Sequence, residues 1–353
     1  MYEYSLVSLS DCKKYGDILS KTEISGQLTL SFKRVPNFLD SLSRQFDYHE
    51  TIKASYGKEM IGFATVSSQR LLINGLGTEV GHISNLLIDQ RWRKKGVLKN
   101  AQPFLRLLIQ KKQLDLFYIT VMGNNRIAKD LISSGKSYLP KFYDLGEINT
   151  YIIQIRKYNR NSILDIAHPL KSELPLTVDF INTVSANKEL SPVCEMKDDL
   201  KAENCYTAKL KGETVGAFFI NNQSDFRRIS VLNYNFVMKV YNFFNDVLSI
   251  FGFCKKMPTS GSIVPIVYIR HLAIKDNNPH ILAQMLKSVS YDLRNSPYLY
   301  MVFGLHEADS LNKAIKGLTK ISYKSRIFMT SWSGDKLVEK INKNNIYIDL
   351  SFL

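Results

Sequence analysis

The feature that most constrains this chain is that one order of local signals occurs twice along it. Lys58-Glu59-Met60-Ile61-Gly62-Phe63-Ala64 reads as a turn feeding a strand with an early glycine, and Lys211 to Phe219 reads the same way around Gly216. A buried strand follows in each half, Ile83 to Asp89 and then Ile269 to Ile274. A helical pattern comes next. Residues Leu98 to Lys112 set Ala101, Phe104, Leu105, Leu108 and Ile109 on one face, and Pro279 to Leu293 do so with Leu282, Met285, Leu286 and Val289. Third strands follow at Leu116–Val121 and Leu299–Phe303, and the halves close on Thr150–Ile155 and Arg326–Trp332. Short apolar runs alternating with helices predict strands covered on both faces of a sheet.

The expected architecture is therefore an α/β unit, an α+β mixed sheet, used twice. Residues 1–157 form the first domain and 173–353 the second. The connection at 158–172 carries the turn signals Asn159-Arg160-Asn161 and His168-Pro169. The second copy holds an aromatic-rich insertion near 232–252, with Tyr234, Phe236, Tyr241, Phe243 and Phe244. Its helical spacing favours packing against the sheet or the interface between halves over a lid or the wall of an acyl or substrate pocket.

Composition narrows the class only slightly. In 353 residues, 45% are apolar and 22% charged, a globular balance that excludes disordered and fibrous classes. A net charge of +15 suits anionic partners: nucleotide cofactors, tRNA, an acidic carrier protein or an anionic surface. The scattered cysteines Cys12, Cys194, Cys205 and Cys254 form no CxxC pair, so neither a metal site nor a disulfide framework is expected, which fits a cytoplasmic protein. Lys239, Asn242, Asn245 and Asp246 interrupt the most apolar stretch, Phe236–Phe253, and argue against a membrane span.

Chemistry concentrates between the first buried strand and its helix, at Asp89-Gln90-Arg91-Trp92-Arg93-Lys94-Lys95-Gly96-Val97. The first turn of a helix has unpaired N–H groups and the positive end of the dipole, which together hold phosphate. Gly96 frees the backbone to turn, and Arg91, Arg93, Lys94, Lys95 and Lys99 surround that turn with charge. Bases are unfavourable at a helix start unless an anion joins them. The second copy has Lys275-Asp276-Asn277-Asn278-Pro279 instead, good helix-start chemistry with no glycine and one cation.

At these residues the sequence resembles the GNAT superfamily of acyl-CoA-dependent N-acyltransferases. Arg93-Lys94-Lys95-Gly96-Val97-Leu98 is similar to its Arg/Gln-x-x-Gly-x-Gly/Ala signature, with Leu98 in place of Gly or Ala. Asn125-Arg126-Ile127-Ala128 is similar to the Asn-x-x-Ala found after its fifth strand. The resemblance covers most of residues 1 to 155 and reaches the second copy through the order of elements. It implies two tandem GNAT-like domains, the second degenerate. It also implies acetyl-CoA or another acyl-CoA as donor, with phosphates at Arg93, Lys94, Lys95, Gly96, Val97 and Leu98. The pantetheine arm would pair with Leu86, Leu87 and Ile88, and Asn125 would lie close by.

For the base, the resemblance points about eleven residues before Arg93, to His82, with Glu79 as competitor directly or through water. Where relatives carry a tyrosine acid, this chain has Ile132, and neither Tyr138 nor Tyr143 matches the motif. Arg270, His271, His306 and Glu307 are polar points on the second copy, open to substrate or structural roles. The expected function is acyl transfer from CoA to the amine of a small molecule or peptide. The alternatives are transfer from aminoacyl-tRNA or an acyl carrier, and an acyl-CoA-binding module without catalysis. No sequence-specific nucleic-acid signature is visible.

Overall fold

Each half of the chain closes its sheet with a strand that belongs to the other. The computed structural model describes residues 1–20, 28–159, 162–197, 199–250, 255–332, 334 and 336–353. In the first half β1 (Tyr2–Leu6), α1 (Cys12–Ser20), β2 (Leu28–Arg34), α2 (Phe38–Gln45), β3 (Tyr48–Tyr56) and β4 (Glu59–Ile73) lead to β5 (Leu76–Ile88). There follow α3 (Val97–Lys112), β6 (Leu116–Met122), α4 (Arg126–Ile132) and β7 (Tyr143–Gln154). The second half runs β8 (Asp165–Ala167), α5 (Leu174–Ser185), β9 (Cys205–Leu210), β10 (Glu213–Asn221), β11 (Arg227–Tyr234) and α6 (Phe236–Ile250). It ends with β12 (Ile266–Ile274), α7 (Pro279–Asp292), β13 (Tyr300–His306), β14 (Lys320–Ser331) and α8 (Lys336–Glu339).

Twelve strands form one sheet in the order β1-β3-β4-β5-β6-β14-β7-β13-β12-β10-β9-β8, and β2 pairs with β11 separately. Among the described residues only β5·β6 and β12·β13 are parallel pairs. At the centre β14, from the second half, lies between β6 and β7, and β7, from the first half, lies beside β13. The predicted closing strands thus exist, longer than their sequence signals, but each completes its neighbour's sheet. No local pattern reports that exchange.

The repetition extends to backbone irregularities. Opposite β4, strand β5 carries an extra residue around Asn85, whose φ is 51°. Opposite β10, strand β12 does the same around His271, also with φ 51°. These are β-bulges, which bend a strand and break its pairing.

On α7 the predicted face Leu282, Met285, Leu286 and Val289 is wholly buried against the sheet, beside Met301 and Phe303 of β13. Fully burying each such side chain stabilises the fold by about 1.5–3 kcal/mol. On α3 only Leu108 and Ile109 of the predicted face are buried, because its first turns overhang a cleft. The insertion read at 232–252 comprises the end of β11 and α6. Met238 and Tyr241 pack with Leu30, Val264 and Tyr300, as the spacing indicates. The stretch read as a connection contains β8, which pairs with β9 at the sheet's edge. Arg160, Asn161, Cys254 and the Phe243 side chain lie outside the described residues. Among the described residues no helix is long and apolar enough to cross a membrane.

Because β7 and β14 are exchanged, the halves are expected to unfold together. Calorimetry of the full chain should show one cooperative transition, and residues 1–157 expressed alone should lack a sigmoidal melt by circular dichroism. Two separated transitions would contradict this.

Candidate active site

Strands β5 and β6 pair at Val80–Leu116, Gly81–Phe117 and His82–Tyr118, and there the pairing stops. Close approach at the last pairs requires Gly81, where a Cβ would meet the Phe117 ring at 2.3 Å. Past the bulge at Asn85 the two strands separate, and α3 and α4 cover the gap. The result is a cleft of about 320 Å³. Leu86, Leu87, Ile88, Val97, Leu98 and Asn125, six of the predicted cofactor residues, line it.

The loop leading to α3 makes a left-handed turn. Gly96 has φ 84° and stands at the N-cap of α3, and no side chain caps the helix. Lys94 is also left-handed at φ 62°. From β1, Tyr2 donates its hydroxyl to the Lys95 carbonyl at 2.8 Å and Tyr4 to the Val97 carbonyl at 2.7 Å, fixing the loop. The first-turn amides of a sixteen-residue helix therefore stand open at the cleft's end.

The five expected cations divide. Arg91 is engaged by Glu59 and Asp89 in an exposed ion-pair cluster. Arg93 donates Nε to the Ile88 carbonyl at 3.1 Å, and Lys95 lies 5.3 Å over the Trp92 ring. Lys94 and Lys99 make no ion pair among the described residues. Asn125 lines the cleft, but its side-chain oxygen accepts from the Ala128 amide at 3.1 Å. The Asn-x-x-Ala pattern is thus an N-cap for α4. Ile132 also faces the cleft, whereas Tyr138 and Tyr143 do not line it.

A second cavity of about 350 Å³ opens on the other face of the sheet. Its floor takes alternate residues of the central strands: His82 and Ser84, Thr120 and Met122, Tyr323 and Ser325. Its roof is the β2·β11 ribbon, with Arg34 and Arg227. Ser84, Asn85, Thr120 and Met122 line both cavities, which meet where β5 and β6 part.

His82 lies in the floor of this second cavity. It is 2% exposed and stacks on Tyr118 with centroids 4.4 Å apart. Its Nδ1 has no hydrogen-bond partner. Burial, then the charge of Arg34, lowers its pKa to about 3, so the ring is neutral near pH 7 and weakly basic. Glu79 accepts a short hydrogen bond from Ser68 and lines a separate polar groove with Arg70 and Glu195. The structure does not bring it to the cleft.

The second half has the same splayed strands, closed by its own chain. The His271 amide donates to Asp349 at 3.0 Å and the Leu272 amide to the Tyr347 hydroxyl at 3.2 Å. Asn278 caps α7 by accepting from the His280 amide at 2.9 Å. Arg270 pairs with Asp199, His306 bonds to the Leu145 carbonyl, and Glu307 accepts from the Glu147 amide. Leu282, Met285 and Leu286 are fully buried at this position.

Parallel strands that part at a bulge in each half, followed in the first by a glycine turn and an uncapped helix, make this the GCN5-related N-acetyltransferase fold, in two tandem copies. No family model matches the sequence, and comparison with curated protein sequences finds no match. Among solved structures, a GCN5-related N-acetyltransferase from Sphaerobacter thermophilus aligns over 100% of this chain and 98% of its own, with TM-score 0.54 and 9% identity. Saccharomyces cerevisiae N-myristoyltransferase with bound myristoyl-CoA aligns over 98% and 85%, with TM-score 0.55 and 8% identity. A GCN5-related N-acetyltransferase from Anabaena variabilis covers 93% and 72%, with TM-score 0.50 and 10% identity.

Sequence reasoning missed Arg34, Arg227 and the bulge residue Asn85. The arginines meet only through a ribbon joining strands far apart in the chain, and a bulge leaves no mark on hydrophobic periodicity.

His82 and His271 both have folded pKa values near 3, below the unfolded value of about 6.5. Between those limits the unfolded chain binds the protons. Their contribution is therefore complete above pH 6.5 and lost as pH falls towards 3. Urea titrations at pH 7 and pH 5 should show a stability loss of at most about 1.4 kcal/mol per pH unit from each. His82→Gln should flatten that slope, and an unchanged slope would contradict the assignment.

Proposed function

We propose that this protein is an acyl-CoA-dependent N-acyltransferase whose first half binds the donor. The observation that supports it is the open N-terminus of α3 at the end of a cleft between parted parallel strands. In this reading the pyrophosphate sits against the amides after Gly96, with Lys94, Lys95 and Lys99 supplying charge and Arg93 bracing the loop. The pantetheine arm follows Leu86–Ile88 and delivers the thioester to the junction at Asn85. The myristoyl-CoA bound by one structural neighbour and the largely apolar cleft leave acetyl and longer chains as alternative donors.

The acceptor amine enters from the opposite cavity. Its nitrogen attacks the thioester carbonyl carbon, the C–S bond breaks, and an amide and CoA thiol result. The amine's proton passes through water to the departing thiolate. His82 is too weakly basic to take it. Its neutral ring instead forms part of the wall against which the acceptor lies. The second half serves as a wall of the acceptor cavity.

A non-catalytic acyl-CoA-binding module is the second reading, favoured by Ile132 in the cleft, the low basicity of His82 and the remoteness of Glu79. Calorimetry with acetyl-CoA, longer acyl-CoAs and dephospho-CoA, with thioester loss on an amine panel, separates the two. Binding with turnover supports the enzyme, and binding without turnover supports the module. Lys94→Ala should weaken acetyl-CoA by about 1.5 kcal/mol, roughly tenfold. Gly96→Pro should abolish binding, since proline cannot adopt φ 84°. Binding of no CoA species would contradict both readings, and tRNA binding in its place would favour aminoacyl transfer.

A further inference from the structure

Arg34 and Arg227 face one another in register across the antiparallel β2·β11 ribbon, and both line the second cavity. Like charges directly opposite in such a pair destabilise it. Their recorded side-chain hydrogen-bond partners are neutral. Arg34 donates Nη1 to Ser41 Oγ at 3.1 Å and to Gln45 Oε1 at 2.9 Å, and lies 5.6 Å from the Phe38 ring. Arg227 donates Nη1 to Gln223 Oε1 at 3.3 Å and lies over the rings of Phe32 and Tyr268, at 5.6 and 5.0 Å. Among the described residues neither guanidinium meets a carboxylate. Burial and then Arg227 lower the Arg34 pKa to about 9, in keeping with a positive charge that this geometry accommodates poorly.

Two guanidinium groups without a carboxylate partner share a cavity whose walls include the apolar and aromatic Phe46, Val264, Ile266 and Tyr300 beside the polar floor of His82, Ser84, Thr120 and Ser325. That lining is suited to an anionic group carried on an apolar body. Guanidinium pairs suit a carboxylate, which accepts two parallel hydrogen bonds. We infer that the second cavity binds a carboxylate-bearing amine, an amino acid with a large apolar or aromatic side chain. Arg34 and Arg227 hold its carboxylate, and its amine points to the junction at Asn85. This inference rests on the proposed acyl transfer for the role of the amine, whereas the carboxylate site stands on the arginines alone.

The test uses the full chain and isothermal titration with L-phenylalanine, L-leucine and L-tryptophan. Each is compared with its carboxamide and its decarboxylated amine, and inorganic phosphate is a separate arm. At least one amino acid should bind, with its amide and amine at least about thirtyfold weaker, and Arg34→Gln and Arg227→Gln should each lose a similar factor. Without ligand, Arg227→Gln should melt at or above the unsubstituted protein, because repulsion is relieved. A merely structural arginine would lower the melting temperature. Equal affinity for acid and amide, undiminished binding to both variants, or no binding by any of the three acids would overturn the inference. Phosphate binding tighter than every amino acid would also overturn it. The acid–amide comparison decides alone should a variant fail to fold. Acetyl-CoA binding is read in parallel. Its absence alongside arginine-dependent amino-acid binding would remove the acyltransferase reading and leave the carboxylate site.

Discussion

Three residue pairs join β5 to β6 in parallel, and beyond His82–Tyr118 the strands part. Parted strands leave backbone groups that need partners from elsewhere. The second half meets that need internally, with Asp349 and Tyr347 accepting from the amides of His271 and Leu272. The corresponding positions of the first half, Asn85 and Leu86, line an open cleft. One geometry, built twice, is thus closed by protein in one copy and open as a cleft in the other.

The exchange of closing strands makes the second, closed copy a structural part of the cavity on the other face of the sheet. With β14 seated between β6 and β7, and β7 beside β13, the face under the β2·β11 ribbon draws residues from both halves. Thr120 comes from the first half and Tyr323 and Tyr268 from the second, within one cavity. Neither half could enclose that space alone. The ribbon itself joins a strand from each half.

How much of this the sequence disclosed follows from the range of each interaction. The strands and the face of α7 were legible because hydrophobic periodicity is local, as was the end of the α3 face at Leu108 and Ile109, and so was the Gly96 turn, where glycine and basic residues adjoin. Of the two partners of Arg91, Asp89 lies two positions away and was within reach of local reading, whereas Glu59 is 32 positions away in the chain and was not. Asn125 was legible as a motif but not as a cap, since the same residues serve either purpose. His82 was pointed to by the family resemblance, while its burial, which lowers its basicity, depends on strands from elsewhere. The strand exchange, the bulge and the arginine pair were illegible for the same reason, being properties of pairing between distant segments.

The central claim is that the first half's cleft and the open turn at Gly96 together receive an acyl-CoA. A crystal structure with a non-hydrolysable acyl-CoA thioether tests it most directly. The account predicts pyrophosphate against the amides of residues 96–99, pantetheine between β5 and β6, and the acyl carbonyl at Asn85. A cofactor seated in the second half, or a first-half cleft left empty at saturating ligand, would contradict it.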